Sequence, residues 1–414
     1  MVSVAGSWLV LSIIGAVPFV ATGEFPRAID AFFEIVSGFT TTGASIRDNV
    51  ENLCHATLFW RSFSHWLGGM GVLIFILMML PVKSGSRMNL MRAESPGYDV
   101  GKFVPKVRDT ATVLYRIYIG LTLSQIIILL ISGMRWFDSV CITFGTAGTG
   151  GFGVLNSSCG SYTPAQQIII TIFMALFGCN FAFYYLILTR RALQAFKMEE
   201  IRVYIGILIS AGLIIGADIA YLYKTASRTL REAFFQTVSI MTTTGFSTSD
   251  FDAWPTLSKT VLLILMCIGA CAGSTGGGTK VSRLIVCVKE NKRTLKAFIH
   301  PRGVFKIRMD GRPLEEHMIN TINLYMLLYI AVFAVSVLIL GLDKYDFETN
   351  FSAVAANINN IGPGLYDVGP TANYGDYSVL SKIVLIFDML AGRLELFPIL
   401  VLLYPKTWRK NVWS

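Results

Sequence analysis

Charged residues are scarce in this sequence, making up only 15% of its 414 residues. Soluble domains average about 25%. The deficit is concentrated in long apolar runs, several of which reach the roughly 20 residues needed to cross the hydrocarbon core of a bilayer. Because these runs are apolar on every face, they are unlike the amphipathic helices of a soluble protein. The composition excludes an ordinary soluble domain and predicts an integral membrane protein.

Cysteine and histidine are also scarce, with seven and four residues. No CxxC pair is present and the histidines are dispersed along the chain, so a structural zinc site is not expected. Cys54 and Cys159 lie on the predicted outer side and could pair, although nothing in their spacing requires it. The other cysteines fall in or beside apolar runs, where a free thiol behaves as a small hydrophobe.

The formal net charge of +9 follows a pattern along the chain. Of the 35 Lys and Arg residues, 22 lie in segments 83–116, 190–202, 289–312 and 406–410. Clustering of basic residues on alternate loops is what the positive-inside rule describes, so we predict that these four segments are cytoplasmic. A nucleic-acid-binding protein would instead carry a continuous basic face on a soluble module, so no nucleic acid partner is expected.

One pattern occurs four times. Residues 31–45 read AFFEIVSGFTTTGAS and residues 232–247 read EAFFQTVSIMTTTGFS; weaker copies are DSVCITFGTAGTGGFG (138–153) and NFSAVAANINNIGPG (350–364). Each copy is a short apolar segment followed by a Thr-, Asn- or Gly-rich stretch that ends at a glycine. These glycines, 108, 94 and 117 residues apart, are Gly43, Gly151, Gly245 and Gly362. A repeat of about 100 residues predicts four tandem units.

Each copy lies between two long apolar segments and is itself too short to span a bilayer. The predicted flanking spans are 7–20 and 58–82, 112–132 and 166–188, 203–223 and 257–288, and 318–340 and 379–404. We therefore predict an all-α membrane protein of four tandem helix–pore loop–helix units around a central pore, potassium-channel-like, with eight spanning helices. Irregular backbone at membrane depth requires such a protein-lined cavity. The predicted units are 1–87, 88–195, 196–300 (with a glycine-rich intramembrane loop) and 301–414.

A pore for cations must replace the hydration shell of the ion, which closely spaced carbonyl and hydroxyl oxygens can do. Glycine permits the backbone angles that direct carbonyls inward. A single TTTG could equally be a turn that binds no ion, but four copies at equivalent places favour ion binding. The predicted ion-binding residues are Thr41, Thr42, Gly43, Thr149, Gly150, Gly151, Thr243, Thr244, Gly245, Asn360, Ile361 and Gly362.

Two further features interrupt the apolar segments. Nine small or polar residues, 272–280, break the span 257–288, and each internal glycine costs about 1 kcal/mol in a helix. They could allow close helix packing or form a flexible loop that obstructs the pore. Arg393 lies inside another apolar segment, where a charge costs about 3 kcal/mol unless it is partnered. It could form a structural pair, with Asp388 or loop carbonyls, or limit cation occupancy of a cavity.

Several segments in this order resemble one family. They are FFEIVSGFTTTGAS (32–45), HWLGGMGV (65–72), CAGSTGGGTKVSR (271–283), NNIGPG (359–364) and AGRLELF (391–397). The chain resembles, over essentially its whole length, the TrkH/TrkG-type membrane subunits of the bacterial Trk/Ktr potassium uptake family. The resemblance implies potassium (K+) as the ion, with rubidium (Rb+) as its substitute. It also implies a multi-pass protein of the bacterial cytoplasmic (inner) membrane, surrounded by lipid, with one filter glycine in each unit.

The same resemblance implies regulation. A gating loop is expected in the third unit, with the predicted gating residues Gly276, Gly277, Gly278, Lys280 and Arg393. A separate cytosolic nucleotide-binding subunit (TrkA-like) would dock on the basic cytoplasmic segments, and two copies would form a homodimer. Members of this type usually carry two further N-terminal helices, so we expect either a truncated reading or a minimal Ktr-like form.

The repeats share one orientation, which favours a channel-like path over a carrier built from inverted repeats. A secondary symporter that couples potassium to sodium or protons is the alternative, because such carriers also use broken helices. Two glycine motifs do not indicate nucleotide binding. Residues 148–153 fit GxGxxG without the required strand and acidic residue, and residues 273–280 resemble a P-loop but have Thr279 where lysine is required.

Overall fold

The computed structural model describes residues 2–71, 107–303 and 305–408. Within these ranges it contains sixteen α-helices and one short hairpin. In chain order the helices are α1 (Val2–Ala21), α2 (Ala28–Phe39), α3 (His55–Gly69), α4 (Val107–Ile131), α5 (Trp136–Gly148), α6 (Pro164–Phe177), α7 (Phe181–Leu188), α8 (Ala192–Lys197), α9 (Glu199–Asp218), α10 (Ala226–Met241), α11 (Thr256–Ile268), α12 (Val281–Ile299), α13 (Glu316–Leu340), α14 (Phe347–Ile358), α15 (Val379–Arg393) and α16 (Phe397–Leu403). The hairpin pairs β1 (Arg308–Met309) antiparallel with β2 (Arg312–Pro313). The predicted all-α class is confirmed.

Some predictions lie outside the described residues. They concern the end of the predicted span 58–82, the boundary between residues 87 and 88, most of the basic segment 83–116, and residues 409–410. The proposed division into units 1–87, 88–195, 196–300 and 301–414 stays a prediction.

The order of the helices repeats four times. Each repeat has a long first helix (α1, α4, α9, α13), a short helix (α2, α5, α10, α14) and a second segment (α3, α6–α7, α11–α12, α15–α16). In the described part of the chain, the four first helices are long and apolar enough to cross a membrane, with mean hydropathies of 2.0, 1.9, 1.7 and 2.4. The count of eight spans stays a prediction.

The first helices present apolar side chains outward. In α13 only 22% of the most apolar window is buried, and Leu327 and Leu338 are 66% and 75% exposed. A contiguous apolar surface of this kind is unfavourable in water. Lipid is the environment that matches it.

The second segments are not the continuous helices that the sequence suggested. Helices α6 and α7 meet at 90°, α11 and α12 are separated by residues 269–280, and α15 and α16 by residues 394–396. Only the second of these breaks was predicted, as residues 272–280. Polar side chains make the first possible, because the Asn180 side chain accepts the backbone N–H of Ala182 and caps α7.

The units pack as a closed ring. The second segment of each unit contacts the short helix of the next: α3 against α5, α6 against α10, and α11 against α14. The ring closes where α15 of the last unit packs on α2 of the first. This arrangement places the C-terminal ends of all four short helices, and the four repeated glycines behind them, around one centre.

Candidate ion-conduction site

Each short helix is followed by a loop of unusual backbone conformation. We call residues 40–43, 148–151, 242–245 and 359–362 loops 1 to 4. The second residue of each loop is left-handed without being glycine: φ is 56° at Thr41, 55° at Thr149, 59° at Thr243 and 55° at Asn360. Each such residue costs about 1–2 kcal/mol. The same strain at four equivalent places means that the surrounding fold imposes this shape, as is typical of functional sites.

The last residue of each loop is a glycine with positive φ, between 78° and 94°. A side chain there would overlap the neighbouring loop. At Gly43 it would meet the Gly150 carbonyl oxygen, at Gly151 that of Thr244, at Gly245 that of Ile361, and at Gly362 that of Thr42. The contacts run from loop 1 to 2 to 3 to 4 and back to 1. The structure thus brings together the four loops that hold the twelve predicted ion-binding residues.

Hydroxyl pairs support loops 1 and 3 from within. The Thr40 and Thr42 hydroxyl oxygens are 2.8 Å apart, and those of Thr242 and Thr244 are 2.7 Å apart. Thr40 also donates to the carbonyl of Val36, in the last turn of α2, at 2.6 Å. These threonine side chains therefore fix the loop to its helix. The oxygens closest to the glycines of the neighbouring loops are backbone carbonyls.

Loop 4 is held differently. The Asn360 side-chain amide donates to the Thr42 hydroxyl and to the Met389 carbonyl, both at 2.9 Å. The Tyr374 hydroxyl donates to the Gly362 carbonyl at 2.7 Å. The TTTG loops and loop 4 therefore differ both in sequence and in the contacts that support them.

A cavity of about 130 Å³ lies on the far side of the glycines from the short helices. All four glycines line it, together with charged residues that include Arg47, Asp48 and Arg61. Arg61 donates from Nε to the Glu34 carboxylate at 2.8 Å, and both side chains are buried. Sequence reasoning missed this pair. A signal was present, since Arg61 and Glu34 are charges within apolar, repeat-related segments.

The glycine-rich segment 269–280 forms a loop beneath loops 3 and 4. The Gly277 N–H donates to the Thr243 hydroxyl at 2.6 Å. A side chain at Gly276 would press on the Thr242 carbonyl, and one at Gly277 on the Asn359 carbonyl. Of the two interpretations of this segment, helix packing and a loop, the structure shows the loop; its movement stays a prediction.

Anchors hold this segment to the second unit and to α9 of its own unit. The Cys271 N–H donates to the Gly178 carbonyl at 3.1 Å, and the Ala272 N–H to the Glu200 carboxylate at 2.6 Å. The buried Lys280 amine donates back to the Gly276 carbonyl. Glu200 also accepts from the Asn180 amide, at 3.1 Å, so one carboxylate joins the loop to the break between α6 and α7.

Arg393, at the end of α15, binds backbone carbonyls of two other units. Its guanidinium donates to Thr275 and Gly69, each at 2.8 Å, and to Gly68. Loop carbonyls were one of the two kinds of partner predicted for it. The other, Asp388, accepts from the Ser336 hydroxyl at 2.7 Å. Arg393 thus links the glycine-rich segment to the end of α3.

The described residues form neither a disulfide nor a cluster of metal-binding side chains. Cys54 and Cys159 are both free, so the disulfide considered above does not form. Among the described residues, no group of three or more His, Cys, Asp or Glu side chains could hold a metal ion. Loops 1 to 4 contain no acidic residue, so the oxygens available there are neutral backbone, hydroxyl and amide oxygens.

Comparisons with known proteins identify the family. A family model described as TrkH, cation transport protein, matches residues 1–209 and 216–410. The chain is 38% identical to the Trk system potassium uptake protein TrkH of Salmonella typhimurium and 31% identical to TrkG of Escherichia coli. Each alignment covers 97% of this chain and 84% of the relative.

A solved structure of a potassium transporter has the same fold. The potassium transporter TrkH from Vibrio parahaemolyticus superimposes with a TM-score of 0.86 at 35% identity, over 98% of this chain and 85% of that one. The fold, the ring of loops and the sequence matches point to the same conclusion. The chain belongs to the TrkH family of cation transport proteins, which are multi-pass membrane transporters and not enzymes.

Proposed function

We propose that this protein takes up potassium across the bacterial cytoplasmic membrane through a path at the centre of the four loops. The observation that carries the proposal is the closed ring in which the carbonyls of Thr42, Gly150, Thr244 and Ile361 each meet the glycine of a neighbouring loop. Rings of carbonyl oxygens replace the hydration shell of potassium in channel filters. The relatives described above are named as potassium transporters, which supports the same ion.

The segment with Gly276, Gly277 and Gly278 acts in this proposal as a gate. Its contacts with Thr243 and with the Asn359 carbonyl lie on the short-helix side of the ring. They support a closed position of the segment across the route of an ion leaving loops 3 and 4. Lys280 and Arg393 hold the closed position through the Gly276 and Thr275 carbonyls. A positive charge at Arg393 also limits cation occupancy below the ring.

We also propose a cytosolic nucleotide-binding regulatory subunit as the partner of a homodimer. The support is the C-terminal half of α12, which carries Lys292 and Lys296 beside the exposed apolar residues Phe298 and Ile299. Charged and apolar groups exposed together are typical of a protein interface. Co-purification with such a subunit, and its loss in a Phe298→Asp variant, is the test; unchanged co-purification would count against this surface.

The central experiment measures potassium uptake directly. Expression in cells that lack potassium uptake should restore growth at low potassium, and the purified protein should carry rubidium into liposomes. Gly245→Ala should abolish both, because its side chain would overlap the Ile361 carbonyl. Gly120→Ala and Gly206→Ala are the matched controls, since a side chain at either position meets nothing within 4 Å. No rescue and no rubidium flux by the native chain would overturn the proposal.

The same liposomes separate a channel from a coupled carrier. A channel gives discrete single-channel currents once the gate is open, with no requirement for a sodium or proton gradient. Slow, saturable flux that depends on such a gradient would overturn the channel part of the proposal and favour the symporter.

A further inference from the structure

Loop 2 lacks two of the threonine side chains of the TTTG pattern, and His65 of α3 occupies the space that they would fill. His65 is fully buried, and its Nδ1 lies 2.8 Å from the Gly38 carbonyl in α2. Because a carbonyl only accepts, Nδ1 carries the ring hydrogen. The other nitrogen, Nε2, then accepts the backbone N–H of Phe152 at 3.3 Å. One neutral imidazole therefore joins the short helix of the first unit to Phe152, the residue that follows loop 2.

The imidazole occupies the place that hydroxyl groups fill elsewhere. In loops 1 and 3 the first and third residues are threonines whose hydroxyls bond to each other. The equivalent residues of loop 2 are Gly148 and Gly150. A side chain at Gly150 would overlap the His65 ring, and one at Gly148 would overlap the His65 backbone carbonyl. Glycine at these positions is thus a consequence of where His65 lies.

Ring contacts of Phe152 with His65 and Arg61 also hold the chain just after loop 2. The His65 and Phe152 rings are 4.3 Å apart between centroids, and the Arg61 guanidinium lies 4.1 Å from the Phe152 centroid. Loop 2 has glycine at three of its four positions, so its own side chains restrict its backbone very little. The Gly150 carbonyl is nevertheless one of the four oxygens in the ring. Its position must be set from outside the loop.

We propose that His65 is a positioning residue that determines ion specificity by fixing the Gly150 carbonyl in the ring. The inference rests on the proposed potassium path and adds to it the source of loop 2's geometry. Selectivity between potassium and sodium depends on the number and placement of the coordinating carbonyls. When Phe152, the residue after loop 2, loses its hydrogen bond to His65, the loop relaxes, and the ring then accepts the smaller ion more readily.

The test compares His65→Ala, His65→Gln and His65→Asn in liposomes, with potassium and sodium flux measured separately. His65→Ala should retain potassium flux but lower the potassium-to-sodium ratio by about tenfold, the factor that corresponds to one buried hydrogen bond. Gln can place an acceptor near Nε2 and restore the bond to Phe152, whereas Asn reaches only the Nδ1 position. His65→Gln should therefore recover most of the ratio and His65→Asn little of it.

Two controls keep the inference separate from folding and from the proposed function. His55→Ala changes the exposed histidine of the same helix and should leave the ratio unchanged. Gly150→Ala should lose flux because of its overlap with the imidazole, and His65→Ala should partly restore it in the double variant. An unchanged ratio in His65→Ala, or equal loss of both fluxes in all three variants, would overturn this inference. A native chain without potassium flux would overturn the proposed function instead.

Discussion

At the scale of residues, the charges Glu34, Glu200 and Arg393, which the structure describes as buried or half-buried near the ring, all have partners. Glu34 in α2 and Arg61 in α3 form an ion pair in which both side chains are at most 2% exposed. The second Glu34 oxygen accepts the Ile46 N–H at 3.1 Å, just beyond loop 1. At the equivalent place in the third unit, the neutral Gln236 donates to the Ser249 carbonyl at 3.3 Å. The same task, tying the chain after the loop to its short helix, is done by a charge in one unit and by an amide in the other.

This difference predicts unequal costs of truncation. Glu34→Ala leaves Arg61 as an uncompensated buried charge, which costs about 3–5 kcal/mol of unfolding free energy. Gln236→Ala removes a neutral hydrogen bond and should cost about 1–3 kcal/mol. Thermal unfolding of both variants in detergent measures the difference. Equal shifts in the two variants would show that the pair carries no special weight; restored stability in Glu34→Ala with Arg61→Leu would support the account.

At the scale of elements, the interrupted second segments connect the ring to the rest of the protein. Each of these segments ends or breaks close to a short helix. Gly68 of α3 packs against the Phe39 carbonyl at the end of α2, and Gly392 of α15 packs against the Ile358 carbonyl at the end of α14. The breaks leave backbone groups that α-helices would satisfy, and side chains distant in the chain supply the missing partners. Glu200 of the same unit does so for the Ala272 N–H, and Arg393 of the fourth unit for the Thr275 carbonyl. The closed position of the glycine-rich segment therefore depends on long-range contacts that can be removed one at a time.

Two changes should open the glycine-rich segment 269–280. Deletion of Gly276–Gly278 removes the part that touches loops 3 and 4, so basal rubidium flux should rise. Glu200→Ala leaves the segment whole but removes the acceptor of the Ala272 N–H, and should raise basal flux severalfold, the effect of about 1 kcal/mol.

Glu199, the residue before Glu200, provides the control for these two changes. Glu199 pairs with Lys289 at 2.5 Å on the side of the β1–β2 hairpin, and neither touches the segment through that pair. Glu199→Ala should leave basal flux unchanged. Flux that stays the same, or falls, in a folded deletion variant and in Glu200→Ala would count against the gate.

At the scale of the whole molecule, the ring closes between the last unit and the first. Lys382 of α15 donates to the Asp30 carboxylate of α2 at 2.7 Å and to the Gly375 carbonyl at 2.8 Å. Lys382 is nearly fully buried, with 3% of its side chain exposed. Asn360 and Thr42 form a second bond across the same seam. These contacts join residues more than 300 positions apart in the chain, so they form only once the whole chain has folded.

The seam can be tested by a double-mutant cycle of Lys382→Met and Asp30→Asn. The interaction free energy should be about 0.5–3 kcal/mol, the range for contacting residues. The corresponding cycle at the more exposed Lys289–Glu199 pair should give less than about 1 kcal/mol. Thermal unfolding provides both values. Additive effects at Lys382 and Asp30 would mean that this pair does not stabilise the closed ring.

The four glycine loops could be predicted from the sequence because one pattern occurs four times. The helical class could be predicted because the apolar runs between the copies are long enough to span a bilayer. The break that the structure shows at residues 269–280 could also be predicted, as residues 272–280, since its glycines are destabilising in a helix. The breaks at residues 178–180 and 394–396 could not. Each has a single polar residue, Asn180 or Glu395, which is a weak local signal. The side chain of that residue has its partner in another unit: Glu200 for Asn180 and Arg283 for Glu395.

By itself the sequence determined that this is a membrane protein of four related units, each with one glycine loop, because hydropathy and repetition are properties of local sequence. Only the tertiary structure decided how the units serve one another. It put Arg393 of the fourth unit under the first and third, and His65 of the first unit behind the loop of the second. A ring closed by contacts between distant segments has no counterpart in local sequence, since each partner is supplied by a different unit.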